Sequence, residues 1–422
     1  MHHTSDILLM LFVVFVAAQA GAEVAQRLKL PAVVGEITAG CLVGPSVLGW
    51  VQINEPLEVL AEIGAVLLLF SVGLETRAGD LRRVGKSATL VGVIGVVVPF
   101  VLGALWAAQS GFPMSKAMFV AAAFVATSAG ITARVLHDLG ALGRIESRVI
   151  LGAAVIDDIL AMLLLGVVTA LQAGGGVDVT RLVLVLLQAI GFVVVITLVG
   201  TRIMRTRSAL LDLPINPLSP LTLSLALCLG LAASASRIGL AAIIGAFLAG
   251  MVLAEARHRN ALERQVQPLM AFLVPFFFVT TGAQVNLSAL GSWAALGTVA
   301  IVTLLAVISK LIGCGLGALS LGMKPALIVG IGMVPRGEVG IIVASLGKQA
   351  GIFPATTYSI IIAMSLLTSV IAPPLLKSLL ARTPVSGSVA LEESADVSHL
   401  LTVEETGHSH PVSTAQRSDA SS

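Results

Sequence analysis

The sequence predicts an all-α polytopic membrane protein of about 13 transmembrane helices, arranged as two inverted six-helix repeats with crossed broken helices. Three observations predict it. Of the 422 residues, 57% are apolar and 11% charged, with a mean hydropathy of +1.01, which no soluble domain shows. The apolar residues fall into runs of about 20. The chain also resembles itself at a shift near 210 residues.

The runs lie at approximately 6–26, 32–49, 56–75, 87–109, 117–139, 147–171, 180–203, 218–236, 239–254, 268–285, 293–320, 325–347 and 355–380, separated by charged or Pro/Gly-rich breaks. The first has a signal-like Ala18-Gln19-Ala20, but its leader carries no Lys or Arg, so it is expected to stay as a membrane helix. Residues 383–422 are rich in Ser, Thr, Glu and His, have no sustained apolar period and are expected to be a disordered cytoplasmic tail. Seventeen Lys and Arg lie in loops after odd-numbered runs and at the tail, against four (Lys116, Arg181, Arg237, Lys348) on the other side. The positive-inside rule then puts the N-terminus outside and the C-terminus in the cytoplasm. The net charge of +2, spread over short loops, gives no footing for nucleic acid. Cys41, Cys228 and Cys314 lie in apolar runs without metal-ligand spacing and read as packing residues.

In the self-comparison, Arg27-Leu-Lys-Leu-Pro-Ala-Val-Val-Gly-Glu-Ile-Thr-Ala-Gly40 matches Arg237-Ile-Gly-Leu-Ala-Ala-Ile-Ile-Gly-Ala-Phe-Leu-Ala-Gly250 at six of fourteen positions. The shift pairs run 1 with run 8 and run 6 with run 13. A membrane domain over 1–382 then divides into repeat one (about 6–171), a linker helix (about 180–203) and repeat two (about 218–380). Seven runs is an odd offset, so the halves are inverted, the architecture of many secondary transporters.

Asp157 and Asp158 stand in mid-run 6, where a charge costs roughly 2.5–3.5 kcal/mol and marks an ion or proton pathway. Neighbours on a helix point about 100° apart, so one carboxylate can meet a protein partner while the other faces a watery cleft. Lys310, deep in run 11, is the expected partner of Asp157. Ala126-Thr-Ser-Ala-Gly-Ile-Thr132 in run 5 and Met333-Val-Pro-Arg-Gly-Glu-Val-Gly340 in run 12 are the expected breaks, since Pro335 removes a donor and the glycines permit non-helical backbone. Carbonyls freed there, with the hydroxyls of Thr127 and Ser128, suit a hard cation. The ion and proton site is therefore expected at Asp157, Asp158, Lys310, Thr127 and Ser128, with Asp157 or Asp158 and Thr127 among the ligands of an alkali cation. Glu75, Arg336 and Glu338 read as a structural ion pair or triad, Arg134 and Glu36 as charges near span ends, and Phe276–Phe278 as lipid-facing or packing residues.

With these residues placed, the chain resembles the bacterial cation:proton antiporters of the second monovalent cation/proton antiporter branch, NapA-type Na+/H+ antiporters in particular. The resemblance rests on Gly35-Glu-Ile-Thr-Ala-Gly-Cys-Leu-Val-Gly-Pro45, Gly73-Leu-Glu75, Thr127-Ser-Ala-Gly-Ile-Thr-Ala-Arg-Val-Leu136, Val155-Ile-Asp-Asp158, Lys310 and Pro335-Arg-Gly-Glu338 in this order. It implies a core of runs 4–6 and 11–13, a dimerisation domain of runs 1–3 and 8–10, a homodimer in the lipid bilayer of the bacterial inner membrane, and elevator-like alternating access. It makes Asp158 the principal cation and proton residue and Asp157 the lysine's partner. The implied activity is exchange of Na+ (or Li+) for H+, electrogenic because both aspartates and Lys310 are present, with no enzymatic chemistry and no cofactor. K+ is the runner-up ion, and a passive cation channel or sensor on the same scaffold is the alternative of a different class.

Overall fold

The computed structural model describes residues 2–172, 179–206, 219–257, 259–284, 292–349 and 351–382. The expected tail 383–422 lies outside them. All regular structure among the described residues is helical. In chain order the helices are α1 (His2–Arg27), α2 (Ala32–Val43), α3 (Glu55–Glu75), α4 (Ala78–Gln109), α5 (Met114–Val125), α6 (Ala129–Asp138), α7 (Ile145–Gln172), α8 (Val179–Val195), α9 (Thr201–Thr206), α10 (Ser219–Arg237), α11 (Ala242–Leu253), α12 (Arg259–Ala283), α13 (Trp293–Gly317), α14 (Met323–Gly332), α15 (Gly337–Gln349) and α16 (Ala355–Ala381). A π turn, Ile196–Gly200, joins α8 to α9. Ten helical stretches among the described residues are long and apolar enough to cross a bilayer, counting α5 with α6 and α8 with α9 as one each. The helices α2, α11, α14 and α15 are shorter.

Local chemistry explains the ends. Asn54 caps α3, its side chain accepting from the Leu57 N–H at 3.2 Å, with Pro56 in the first turn. Ser292 caps α13 in the same way through Ala295. Run 2 is shorter than expected, because α2 ends at Val43 and Gly44 turns extended ahead of Pro45, which disfavours helix at the residue before it. Run 4 is longer, since α4 begins at Ala78 and carries Arg83 and Lys86 in its first turns.

Two mutually packed groups result. One comprises α1, α2, α3, α10, α11 and α12; the other α4, α5, α7, α13, α14, α15 and α16. Helix α6 lies between them, touching α2 and α3 on one side and α7 and α16 on the other. Helix α8 rests on α7, and the π turn on α11.

The first group is closed by a contact that occurs twice. Ile37 and Gly40 of α2 meet Gly282 and Val279 of α12, and Phe247 and Gly250 of α11 meet Gly73 and Phe70 of α3. In each case a glycine lies against a backbone carbonyl, leaving no room for a Cβ. Between helices in lipid there is no hydrophobic driving force, so close backbone approach at small residues supplies the attraction through van der Waals contact. Gly250→Ala is therefore expected to force α11 off α3 and cost about 1–3 kcal/mol, the usual price of overpacking. Thermal melting in detergent checks this, and an unchanged melting temperature would show that the contact is looser than described. The Phe276–Phe278 run is buried throughout and packs rather than facing lipid.

Candidate functional site

Both expected breaks are present, and both are narrower than their composition suggests. Helix α5 ends at Val125 and α6 begins at Ala129; α14 ends at Gly332 and α15 begins at Gly337. Gly130, Ile131 and Thr132 are helical, as are Val339 and Gly340; Pro335 with its neighbours suffices to interrupt the second helix, while the first parts at Ala126, Thr127 and Ser128 without a proline. The two extended segments cross: the Ser128 N–H donates to the Pro335 carbonyl at 2.7 Å, and Thr132 Oγ1 to the Gly332 carbonyl at 2.6 Å. Gly337 has φ +35°, and a Cβ there would lie 2.6 Å from Ser128 Oγ, so only glycine fits the crossing comfortably.

The fully buried guanidinium of Arg336 spans the crossing. Its Nη1 donates to the Ala126 carbonyl at 3.0 Å and its Nη2 to the Ala306 carbonyl at 2.8 Å. It thus sits at the negative, C-terminal end of α5 and ties that end to α13, satisfying a carbonyl the break leaves open. Among the described residues Arg336 does not meet Glu75, one member of the expected ion pair or triad. Backbone carbonyls take its donors, and Glu75 pairs with His137 at 3.4 Å. The Glu338 side chain lies outside the described residues. Sequence reasoning missed Ser369 of α16, whose Oγ accepts from the Gly337 N–H at 3.2 Å. A serine in an apolar helix that also bonds back to the Ser365 carbonyl gives no sequence signal.

Against this crossing α7 presents its two aspartates. Asp157 is fully buried, and Lys310 Nζ, equally buried, donates to its Oδ1 at 2.7 Å. The other oxygen, Oδ2, has no hydrogen-bond partner among the described residues. Asp158, one residue on, is half-buried and lines a small cavity with Leu69, Ala129, Leu151, Ala154, Val155, Ile243, Ile244 and Phe247. That cavity holds about 20 Å3, room for one water-sized particle, which needs at least roughly 10–15 Å3 by this measure. Thr127 and Ser128 are buried in the break that precedes Ala129, and Thr127 Oγ1 lies 3.5 Å from the Val125 carbonyl.

A larger cavity of about 840 Å3 opens beside it. Its wall includes Glu58 and Glu62 of α3, Thr280 and Thr281 of α12, Gln284 just after it, Ser345 of α15 and Tyr358 of α16. Ile243 lines both cavities and separates them. A polar funnel therefore leads toward Asp158 and stops at an apolar residue.

A helical membrane protein with two broken helices crossing beside buried carboxylates and a lysine is the class that fold and site define. Residues 11–382 match the family described as sodium/hydrogen exchanger, transmembrane, and the chain belongs to that family. It is 35% identical over 414 residues to the high-affinity Na+/H+ antiporter NhaS3 of Synechocystis sp., covering 89% of this chain and 90% of that one. It is 35% identical over 373 residues to the Na+/H+-K+ antiporter GerN of Bacillus cereus, covering 86% and 94%. Among solved structures, the sodium proton antiporter MjNhaP1 from Methanocaldococcus jannaschii has a similar fold, with a TM-score of 0.62 at 20% identity over 90% of this chain and 98% of that one. The chain is thus a multi-pass membrane protein of an antiporter family.

Proposed function

We propose that this chain exchanges Na+ (or Li+) for H+ by alternating access, with Asp158 as the residue that holds either ion. The observation that carries the reading is the division of labour within the aspartate pair. Asp157 is committed to Lys310, while Asp158 faces a cavity of single-ion size next to a polar funnel. Carbonyls at the break and the Thr127 and Ser128 hydroxyls would complete an oxygen shell for a dehydrated cation. A cation arriving beside Asp157 would compete with Lys310 for the carboxylate, and the presence of Asp157, Asp158 and Lys310 together supports reading the exchange as electrogenic. K+ is the second reading within this activity, favoured by the dual ion in the name of GerN.

The same proposal includes two inverted repeats, about 6–171 and 218–380, with 180–203 as linker. The duplicated glycine contact supports it: Ile37 and Gly40 correspond to Phe247 and Gly250 at a shift of 210. It includes thirteen spans, a homodimer, an N-terminus outside and a C-terminus in the cytoplasm of a bacterial inner membrane, on the strength of the Lys/Arg distribution and the resemblance.

Competition for one carboxylate fixes the sign of the pH dependence. Protons displace the cation, so the half-saturating Na+ concentration rises as pH falls. Liposomes reconstituted with the protein, internal pH read while Na+, Li+ or K+ is added at several pH values, test this. A half-saturating concentration independent of pH would mean separate sites for the two ions, and no ion-driven proton movement would remove the activity itself.

A further inference from the structure

A second group of charges lies at the far end of α6, about 15 Å from the crossing at 1.5 Å per residue. Arg134 and His137 project from α6 toward α2, α3 and α12. Arg134 lies 3.8 Å from Glu36 of α2 and donates to Asp138 at 2.9 Å, with its guanidinium 5.9 Å from the centre of the Phe278 ring of α12. His137 lies 3.4 Å from Glu75 of α3 and 3.4 Å from Gln267 of α12. Arg259 and Glu263 of α12 complete the charges acting on Glu75. Glu36 is 4% exposed, and its Oε2 has no hydrogen-bond partner among the described residues. A carboxylate so buried is costly unless its positive partner stays in place.

The position of this cluster gives it a purpose. The polar funnel is walled by Glu58 and Glu62 toward the start of α3 and by Thr280, Thr281 and Gln284 at the end of α12. The cluster occupies the opposite ends, Glu75 closing α3 and Arg259 opening α12. One end of the groove between the two helix groups is thus open and the other is bridged by charge.

We propose that Arg134 and His137, held by Glu36, Glu75 and Gln267, form an interdomain latch that closes the face of the protein opposite the funnel and holds α6, with the Asp158 cavity at its near end, in the funnel-open state. For the site to open to the other face, α6 must move relative to α2, α3 and α12, and these contacts must break. The latch is made of polar contacts of charged or titratable side chains, Arg134 with Glu36 and His137 with Glu75 and Gln267, which water can replace when they part. This rests on alternating access in the function proposed above.

The test uses full-length protein in vesicles, with Cys41→Ala, Cys228→Ala and Cys314→Ala as background and Ala129→Cys as reporter in the cavity wall. A membrane-impermeant maleimide is applied to sealed vesicles of each orientation. Glu36→Gln, which keeps the shape and removes the charge, is expected to raise labelling from the latch face at least five-fold and to lower it from the funnel face. Glu75→Gln, at a half-buried position that tolerates change, is expected to act in the same direction and carries the test if Glu36→Gln does not fold. Labelling from the latch face within two-fold of the unsubstituted latch, in variants that run as monodisperse protein, would overturn the proposal. Labelling needs no transport, so a failure of the latch is distinguishable from a failure of the proposed exchange.

Discussion

Asp158→Asn is expected to abolish Na+-driven proton movement, reducing it to the level of protein-free liposomes, while the protein remains extractable and monodisperse. The side chain is half-buried against a cavity of about 20 Å3, and an amide fits there with almost no change in volume. What is lost is the group that can be neutralised by either a proton or a cation. An amide still offers one carbonyl oxygen, so weak cation binding can survive. Proton exchange cannot, because an amide does not titrate in the range of interest. Proton movement at the unsubstituted rate would remove Asp158 from the site, and the neighbouring Asp157, already bound to Lys310, would have to be reconsidered as the carrier.

The second large effect concerns that neighbouring pair. Lys310→Ala leaves the Asp157 carboxylate fully buried with neither oxygen satisfied, since Oδ2 already lacks a hydrogen-bond partner among the described residues. Breaking a buried pair by removing one partner costs about 3–5 kcal/mol. Adding Asp157→Asn should recover part of the loss, because the uncompensated charge goes with it. Neutralising both members should therefore be less harmful than the sum of the single changes, by about 0.5–3 kcal/mol of interaction. Melting of the two single variants and the double variant measures it. Strict additivity would show that the 2.7 Å contact contributes nothing as a pair.

The residues of this centre were legible in the sequence for a simple reason. A charge in an apolar run is costly and a consecutive pair of them is hard to explain as packing, so Asp157, Asp158 and Lys310 stood out, and the structure brings the first and the last into direct contact. The all-helical membrane fold and the two breaks were legible too, because hydropathy runs, Pro335 in the second break and the Thr-Ser-Ala-Gly stretch in the first act locally. Pairings across long sequence separations were not. Arg336 was expected to pair with Glu75 or Glu338, and the structure gives its Nη1 and Nη2 to the carbonyls of Ala126 and Ala306. Every residue carries such a carbonyl, so no pattern of residue types can announce it. Glu36 and Arg134 were visible as charges near span ends and His137 was not singled out, and nothing in their spacing said that α2, α3 and α12 would converge on α6. The extent of the breaks was overestimated because Gly130 and Gly340 permit unwinding without requiring it.

The doubled glycine contact has a mechanical consequence. Where a side chain meets a side chain, rotamers can shift and an interface yields by degrees. Where a Cα lies on a carbonyl, as at Gly40 on Val279 and Gly250 on Phe70, there is nothing to rotate. Dispersion falls so steeply that a gap of about 0.5–1 Å already forfeits a quarter to a half of the attraction. Such a contact is either closed or lost. The group of α1 to α3 and α10 to α12 therefore has the compliance of a solid rather than of a spring. Whatever gives way when the helices rearrange is therefore expected elsewhere, where side chains and ion pairs supply the slack.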